Sequence, residues 1–135
     1  MFGRWLTDNG THTQTRGHAT GAQIEQRACQ WLEQQGLDYI ESNYRCRVGE
    51  IDLVMLDQQQ LVFVEVRYRK QNSFGSAAES VDWRKQKKLQ KTAAHYLVHR
   101  PKHIKRACRF DVLAAQPGKQ YNTLRWCWIK DAFTD

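Results

Sequence analysis

"LVFVEVRYRK", residues 61–70, opens as a buried strand and then admits charge. Leu61, Val62, Phe63 and Val64 are apolar, and Glu65, Arg67 and Arg69 interrupt the rest of the run. A carboxylate left unpaired in such a run costs several kcal/mol or shifts its pKa, so Glu65 needs a partner. The preceding segment, "GEIDLVMLD" over 49–57, also has the pattern of a strand, and only "QQQ" separates the two. Two extended runs joined by so short a polar turn predict an antiparallel hairpin.

Working outward, "YIESNYRCR" at 39–47 predicts a strand before the hairpin. A helix precedes it. Thr20 and Gln23 have capping-box spacing, Ala22, Ala28, Cys29 and Leu32 fall on one face, and Gly36 is a natural stop. Beyond the hairpin, "QNSFGSAAES" reads as a loop. Asp82 can cap a second helix running to about His99, with Leu89, Ala93, Tyr96 and Leu97 inward and Pro101 just past its end. "ACRFDVLAA" and "TLRWCWIK" predict two more strands around a "PGKQYN" turn. Helix, three strands, helix, two strands is an α/β class with a single mixed sheet flanked by helices. Residues 1–18 are polar, rich in Thr and Gly and without periodicity, so a flexible N-terminal arm is expected before a single domain over 19–135.

A chain of 135 residues suits one core, and its 41% hydrophobic content is that of a globular protein. The net charge of +7 points to a polyanionic partner, most often nucleic acid, with solubility as the bland alternative. No apolar run approaches a membrane span, and "MFGRWL" is too short for a signal peptide, so a cytoplasmic protein without a membrane partner is expected. The four cysteines form no CxxC pair and read as reduced, structural thiols rather than a zinc or redox motif.

Side chains alternate across a strand. Glu50, Asp52, Val54 and Leu56 should share one face, and Ile51, Leu53 and Met55 the other. On the next strand Leu61, Phe63, Glu65, Arg67 and Arg69 share a face. Both faces are largely apolar, so both should be covered by the helices. In a hairpin Asp52 and Glu65 fall roughly opposite each other. Facing carboxylates repel, and a divalent cation with oxygen ligands relieves the repulsion. Such a cation can activate water against a phosphodiester. The alternative is neutralisation by Arg45, Arg47 or Arg67, and spacing alone leaves both open. Glu25 falls on the inward face of the first helix. Lys85 points inward from the first turn of the second, where it can meet a phosphate or a carboxylate. For each, snorkelling to solvent is the common fate of a single such residue.

"WRKQKKLQK", 83–91, is a basic helix face. Arg84, Lys87 and Lys88, with Arg69 and Lys70, read either as a solvated surface or as contacts to a nucleic-acid backbone. His95 and His99, with Lys102 and His103, read as a basic patch. Trp126 and Trp128 read as core, and Arg109 with Asp111 as an ion pair.

Asp52 with "VFVEVR" on the next strand resembles the PD-(D/E)xK signature of restriction-endonuclease-like nucleases. The longer string "RCRVGEIDLVM…LVFVEVRYRK…FGSAAESV…RFDVL", with the closing "WIKDAF", resembles the YraN-like bacterial family. That family's domain is similar to the Holliday-junction-resolvase-like branch of the superfamily. The resemblance spans about Gly21 to Phe133. It implies an αβββαβ core with a site at one edge of the sheet and Mg²⁺ or Mn²⁺ as cofactor. Asp52 and Glu65 match the metal-binding acids, and Glu25 matches a helix-one glutamate that the resemblance implies as a third metal ligand. Glu50 lies within the same motif, and Lys85 matches a basic position at the start of helix two. Arg67 stands where the pattern has Lys, and Arg cannot serve as a base, though it can hold a phosphate.

The expected function is a metal-dependent endonuclease acting on nucleic acid, DNA before RNA and branched DNA among its substrates, by phosphodiester hydrolysis. The alternative is a catalytically inactive nucleic-acid-binding module with a nuclease fold. A third, weaker reading is a protein-interaction scaffold whose acidic cluster is an ion-pair network. The sequence leaves the oligomeric state open, a homodimer included.

Overall fold

The computed structural model describes residues 5–8, 21–69 and 81–133. Its elements are β1 (Trp5–Asp8), α1 (Gly21–Gln34), β2 (Asp38–Arg45), β3 (Glu50–Asp57), β4 (Gln60–Tyr68), α2 (Trp83–His99), a 3₁₀ turn (Pro101–His103), β5 (Cys108–Pro117) and β6 (Leu124–Ile129). The strands form one mixed sheet in the order β1-β6-β5-β4-β3-β2. β4 and β5 run parallel, and the crossover between them carries α2. The other neighbours are antiparallel. This is the α/β class expected, a single sheet flanked by helices.

One helix covers each face. Ile24, Ala28, Trp31 and Leu32 of α1 pack on Leu53, Met55, Val62, Val64, Leu113, Ala115 and Trp126. Leu89, Ala93 and Tyr96 of α2 pack on Val54, Leu61, Phe63, Val112 and Ala114. β4 and β5 are therefore apolar on both sides, as the central strands of a covered sheet must be. The buried stripe of α1 is rotated from the expected one. Ile24 and Trp31 define it, Ala22 is exposed and Cys29 only half-buried. The large Trp31 ring decides the orientation, stacking on Trp126 and meeting Trp128 edge-on, each at 5.9 Å between centroids.

The predicted boundaries have local causes. Gly36 adopts φ +101°, and the bonds Gly36 N–H to Glu33 O (3.0 Å) and Leu37 N–H to Leu32 O (3.1 Å) close α1 as a Schellman motif. Leu37 is buried beside Leu32, the apolar contact such a cap favours. Asp82 caps α2 by accepting the Lys85 N–H at 2.9 Å. Thr20, expected to cap α1, lies outside the described residues, as does the loop at 71–80.

The expected N-terminal arm needs correction at four positions. Trp5–Asp8 form an edge strand antiparallel to β6, with Trp5 opposite Cys127 and Leu6 opposite Trp126. Among residues 1–18 the remainder lies outside the described residues. Four residues are too few for a period-2 pattern to register, and the pairing depends on a strand more than a hundred positions away. Among the described residues no helix is long and apolar enough to cross a membrane.

Candidate active site

The ladder between β3 and β4 runs from Asp57↔Gln60 to Leu53↔Val64. One step further along the same register, Asp52 faces Glu65. There the sheet divides. β3 goes on pairing with β2 through Ile51 and Glu50, while β4 goes on with β5 through Glu65, Val66, Arg67 and Tyr68. The division leaves the Val66 N–H without a β3 carbonyl, and the Asp52 carboxylate accepts it at 2.8 Å. That bond fixes where the Asp52 carboxyl points.

The strict alternation expected along β3 breaks here too. Ile51 packs on the α2 side with Tyr44, whereas Leu53 and Met55 pack on the α1 side. Opposite the break, Asn43 has φ +54° and no ladder partner between Ser42↔Leu53 and Tyr44↔Ile51. Asn tolerates the left-handed region better than most residues. The kink brings its side chain to hydrogen-bond Glu25. Asn43 was not singled out from the sequence. Its one signal was an Asn inside an otherwise strand-forming run.

Asp52 is 8% exposed and Glu65 6%. Burial raises the pKa of both, and the charge of Asp52 raises Glu65 further, to about 7, against the pull of Lys85 and Arg67. At Asp52 the Val66 N–H and the neighbouring Glu65 carboxyl offset part of that rise. Lys85 Nζ and Arg67 Nε each lie 3.5 Å from the same oxygen, Glu65 Oε1. The Arg67 Nε–H is buried without a hydrogen-bond acceptor, so its contact with Glu65 is one of charge and not of hydrogen-bond geometry. Both cations keep part of their side chains open to solvent.

Glu25 is half-buried at the margin of the α1 stripe. Its pKa is raised, first by burial and then by Asp52. It is thus electrostatically part of the site. Among the described residues, however, no three His, Cys, Asp or Glu side chains converge as a metal-ligand set. Glu50 stays exposed at the rim and pairs with Arg45 at 3.0 Å. Two buried carboxylates, with the charge of Asp52 raising the pKa of Glu65, are hard oxygen donors, and this donor set fits a divalent cation such as Mg²⁺.

The predicted backbone contacts lie around this centre. Arg84, Lys87 and Lys88 are exposed on α2, and Arg69 is half-exposed just past β4. Lys70 lies outside the described residues. Other charged residues proved structural. Asp111 is fully buried and accepts Arg109 Nε at 3.0 Å, the Trp128 indole N–H at 2.9 Å and the Asp131 N–H at 2.9 Å. His95 pairs with the Tyr44 hydroxyl and stacks on His99 at 4.1 Å. His103 is buried rather than part of a basic patch, accepts Arg106 Nε at 3.1 Å, and has its pKa lowered, chiefly by burial.

The family described as "Uncharacterised protein family UPF0102" matches residues 24–115. The chain belongs to that family. The match contains α1 from Ile24 onward, the β3–β4 division and the parallel β4–β5 pair up to Ala115, so every residue of the candidate site lies within the family's region. The UPF0102 protein of Alcanivorax borkumensis is 51% identical over 114 residues, covering 84% of this chain and 90% of that protein. The UPF0102 protein of Pseudomonas syringae pv. syringae is 49% identical over 113 residues, covering 84% and 91%. That of Stutzerimonas stutzeri is 45% identical over 119 residues, covering 88% and 98%. The YraN-like resemblance read from the sequence is this same family.

Proposed function

We propose that this UPF0102 chain is a metal-dependent endonuclease that hydrolyses phosphodiesters in DNA, branched DNA included. The observation that carries the reading is the buried pair Asp52–Glu65, with Lys85 and Arg67 both 3.5 Å from one Glu65 oxygen. Two acids and two cations concentrated at a split in the sheet match the needs of phosphodiester hydrolysis: a place for positive charge and donors for a phosphate.

Asp52 and Glu65 would hold Mg²⁺ or Mn²⁺, which supplies Lewis-acid polarisation of a phosphate oxygen and a bound water of lowered pKa. The protein's own groups do the rest. The Val66 N–H keeps Asp52 oriented. Lys85 and Arg67, which sit beside Glu65, would donate to non-bridging phosphate oxygens. Their half-open side chains leave room for that contact. Arg67 stays protonated, so it binds and stabilises charge and does not take a proton. The basic face of α2 holds the flanking backbone.

Arg67 is also the observation favouring a second reading, a nucleic-acid-binding module that has lost turnover. Labelled linear and four-way-junction DNA, incubated with Mg²⁺ or Mn²⁺, separates the two. Cutting by wild type that disappears in Asp52→Ala and Glu65→Gln supports the endonuclease. No cutting by any of the three, with salt-sensitive binding retained, refutes it and supports the binding module.

A further inference from the structure

Trp83 is the first residue of α2 and is 68% exposed, unusually open for the largest apolar side chain. It contributes nothing to either core. Lys87, four residues on, lies over one face of its ring at 5.7 Å. Lys91, four further, continues the same stripe, and Arg84 and Lys88 form a parallel one beside it. All four cations are exposed, and α2 contains no Asp or Glu at all. The helix thus presents a ladder of positive charge that ends in a solvent-facing indole. Trp83 stands at the end where Lys85, two residues away and about 3 Å along the axis, reaches into the acidic pair.

We propose that Trp83 is a stacking platform for an unpaired nucleobase, so that the substrate is DNA with single-stranded nucleotides next to the scissile position rather than continuous duplex. This deepens the endonuclease reading and rests on it for the identity of the ligand. The chemistry is specific to the pairing of features. In a closed duplex the base faces are occupied by their neighbours, and only the phosphates can use a helix of lysines. Where a strand leaves the duplex, a base face is free, and an indole offers it a surface whatever its sequence. Lys87 occupies one side of the ring and leaves the other for the base. The phosphates on either side of that base fall along the Arg84–Lys91 ladder. The complement is therefore aromatic and anionic together, which a flexible single strand supplies and an acidic protein surface does not.

The test is binding without metal, in EDTA, which does not depend on turnover. Fluorescence anisotropy compares wild type, Trp83→Ala and Trp83→Phe on a closed linear duplex and on the same duplex carrying an unpaired flap. Loss of one stacked base weakens binding about tenfold. Trp83→Ala should lose about that factor on the flapped DNA and leave duplex binding within a factor of about two. Trp83→Phe, which keeps a π-face, should recover most of the loss. Equal weakening on both DNAs, no weakening on either, or a Phe variant as poor as Ala overturns the platform while leaving the endonuclease reading intact. Failure of wild type to bind either DNA at low salt overturns both. Cleavage assays on the same variants then report the endonuclease reading separately.

Discussion

Replacing Glu65 by Gln removes a charge that the metal-free fold holds unwillingly. Its carboxyl is raised from 4.5 to about 7, by burial first and by Asp52 second. The sign depends on which state binds the proton more tightly. The folded protein does, so the slope of stability against pH is negative between about 4.5 and 7. The group is harmless below that window and destabilising above it. At about 1.4 kcal/mol per unit, the full rise corresponds to about 3 kcal/mol. Gln is close in shape to the neutral acid. Glu65→Gln should therefore match wild type near pH 4.5 and exceed it by about 3 kcal/mol above pH 7, measured by urea unfolding in EDTA across that range. Added Mg²⁺ should raise wild-type stability above neutral pH and leave Glu65→Gln and Asp52→Ala nearly unmoved, because a cation stabilises the ionised pair by mass action. A variant offset from wild type by the same amount at every pH would refute the reasoning, since the two carboxyls would then not be competing for one charge.

Three further outcomes are expected. Arg67→Ala should lower single-turnover cleavage by about 10²- to 10³-fold while thermal stability holds, as when one preorganised donor to a developing charge is lost; an unchanged rate would remove Arg67 from the site. Asp111→Ala, which leaves Arg109 with Asp57 but removes the acceptor of the Trp128 indole and of the Asp131 N–H, should cost about 3–5 kcal/mol in urea unfolding, and a loss under about 1 kcal/mol would show that the network is not structural. Lys87→Ala with Lys88→Ala should weaken binding of all DNA sequences alike and reduce the slope of log affinity against log salt by about two, read from anisotropy titrations at several salt concentrations.

The hairpin was legible because two strand patterns met across a polar turn, and period-2 alternation alone put Glu65 and Arg67 on one face. Helix spacing likewise placed Lys85 where it reaches Glu65. The division of the sheet was not legible. It depends on Asn43 entering the left-handed region and on Asp52 accepting a backbone N–H, neither of which leaves a periodic trace. Alternation therefore grouped Ile51 with Leu53, although the two belong to opposite cores. Glu25 was correctly placed near the sheet, but helical phase cannot measure how closely a side chain on the margin of a stripe approaches its neighbours. The stripe of α1 was misplaced because Ala and Cys were weighed before Trp31, whose ring area dominates the packing. Trp5–Asp8 were read as arm because their order comes entirely from β6.

That last pairing sets a sequence in time. β1 can find its place only after β6 exists, since Trp5 lies opposite Cys127. During synthesis the first strand leaves the ribosome with no edge to join, and the central sheet must assemble without it. Contacts of such long separation close slowly, because loop entropy has to be overcome before they contribute. Until then β6 presents an open strand edge, the surface on which a second nascent chain can add by mistake. The four residues of β1 thus act as a final latch that retires that edge once the rest of the domain is in place.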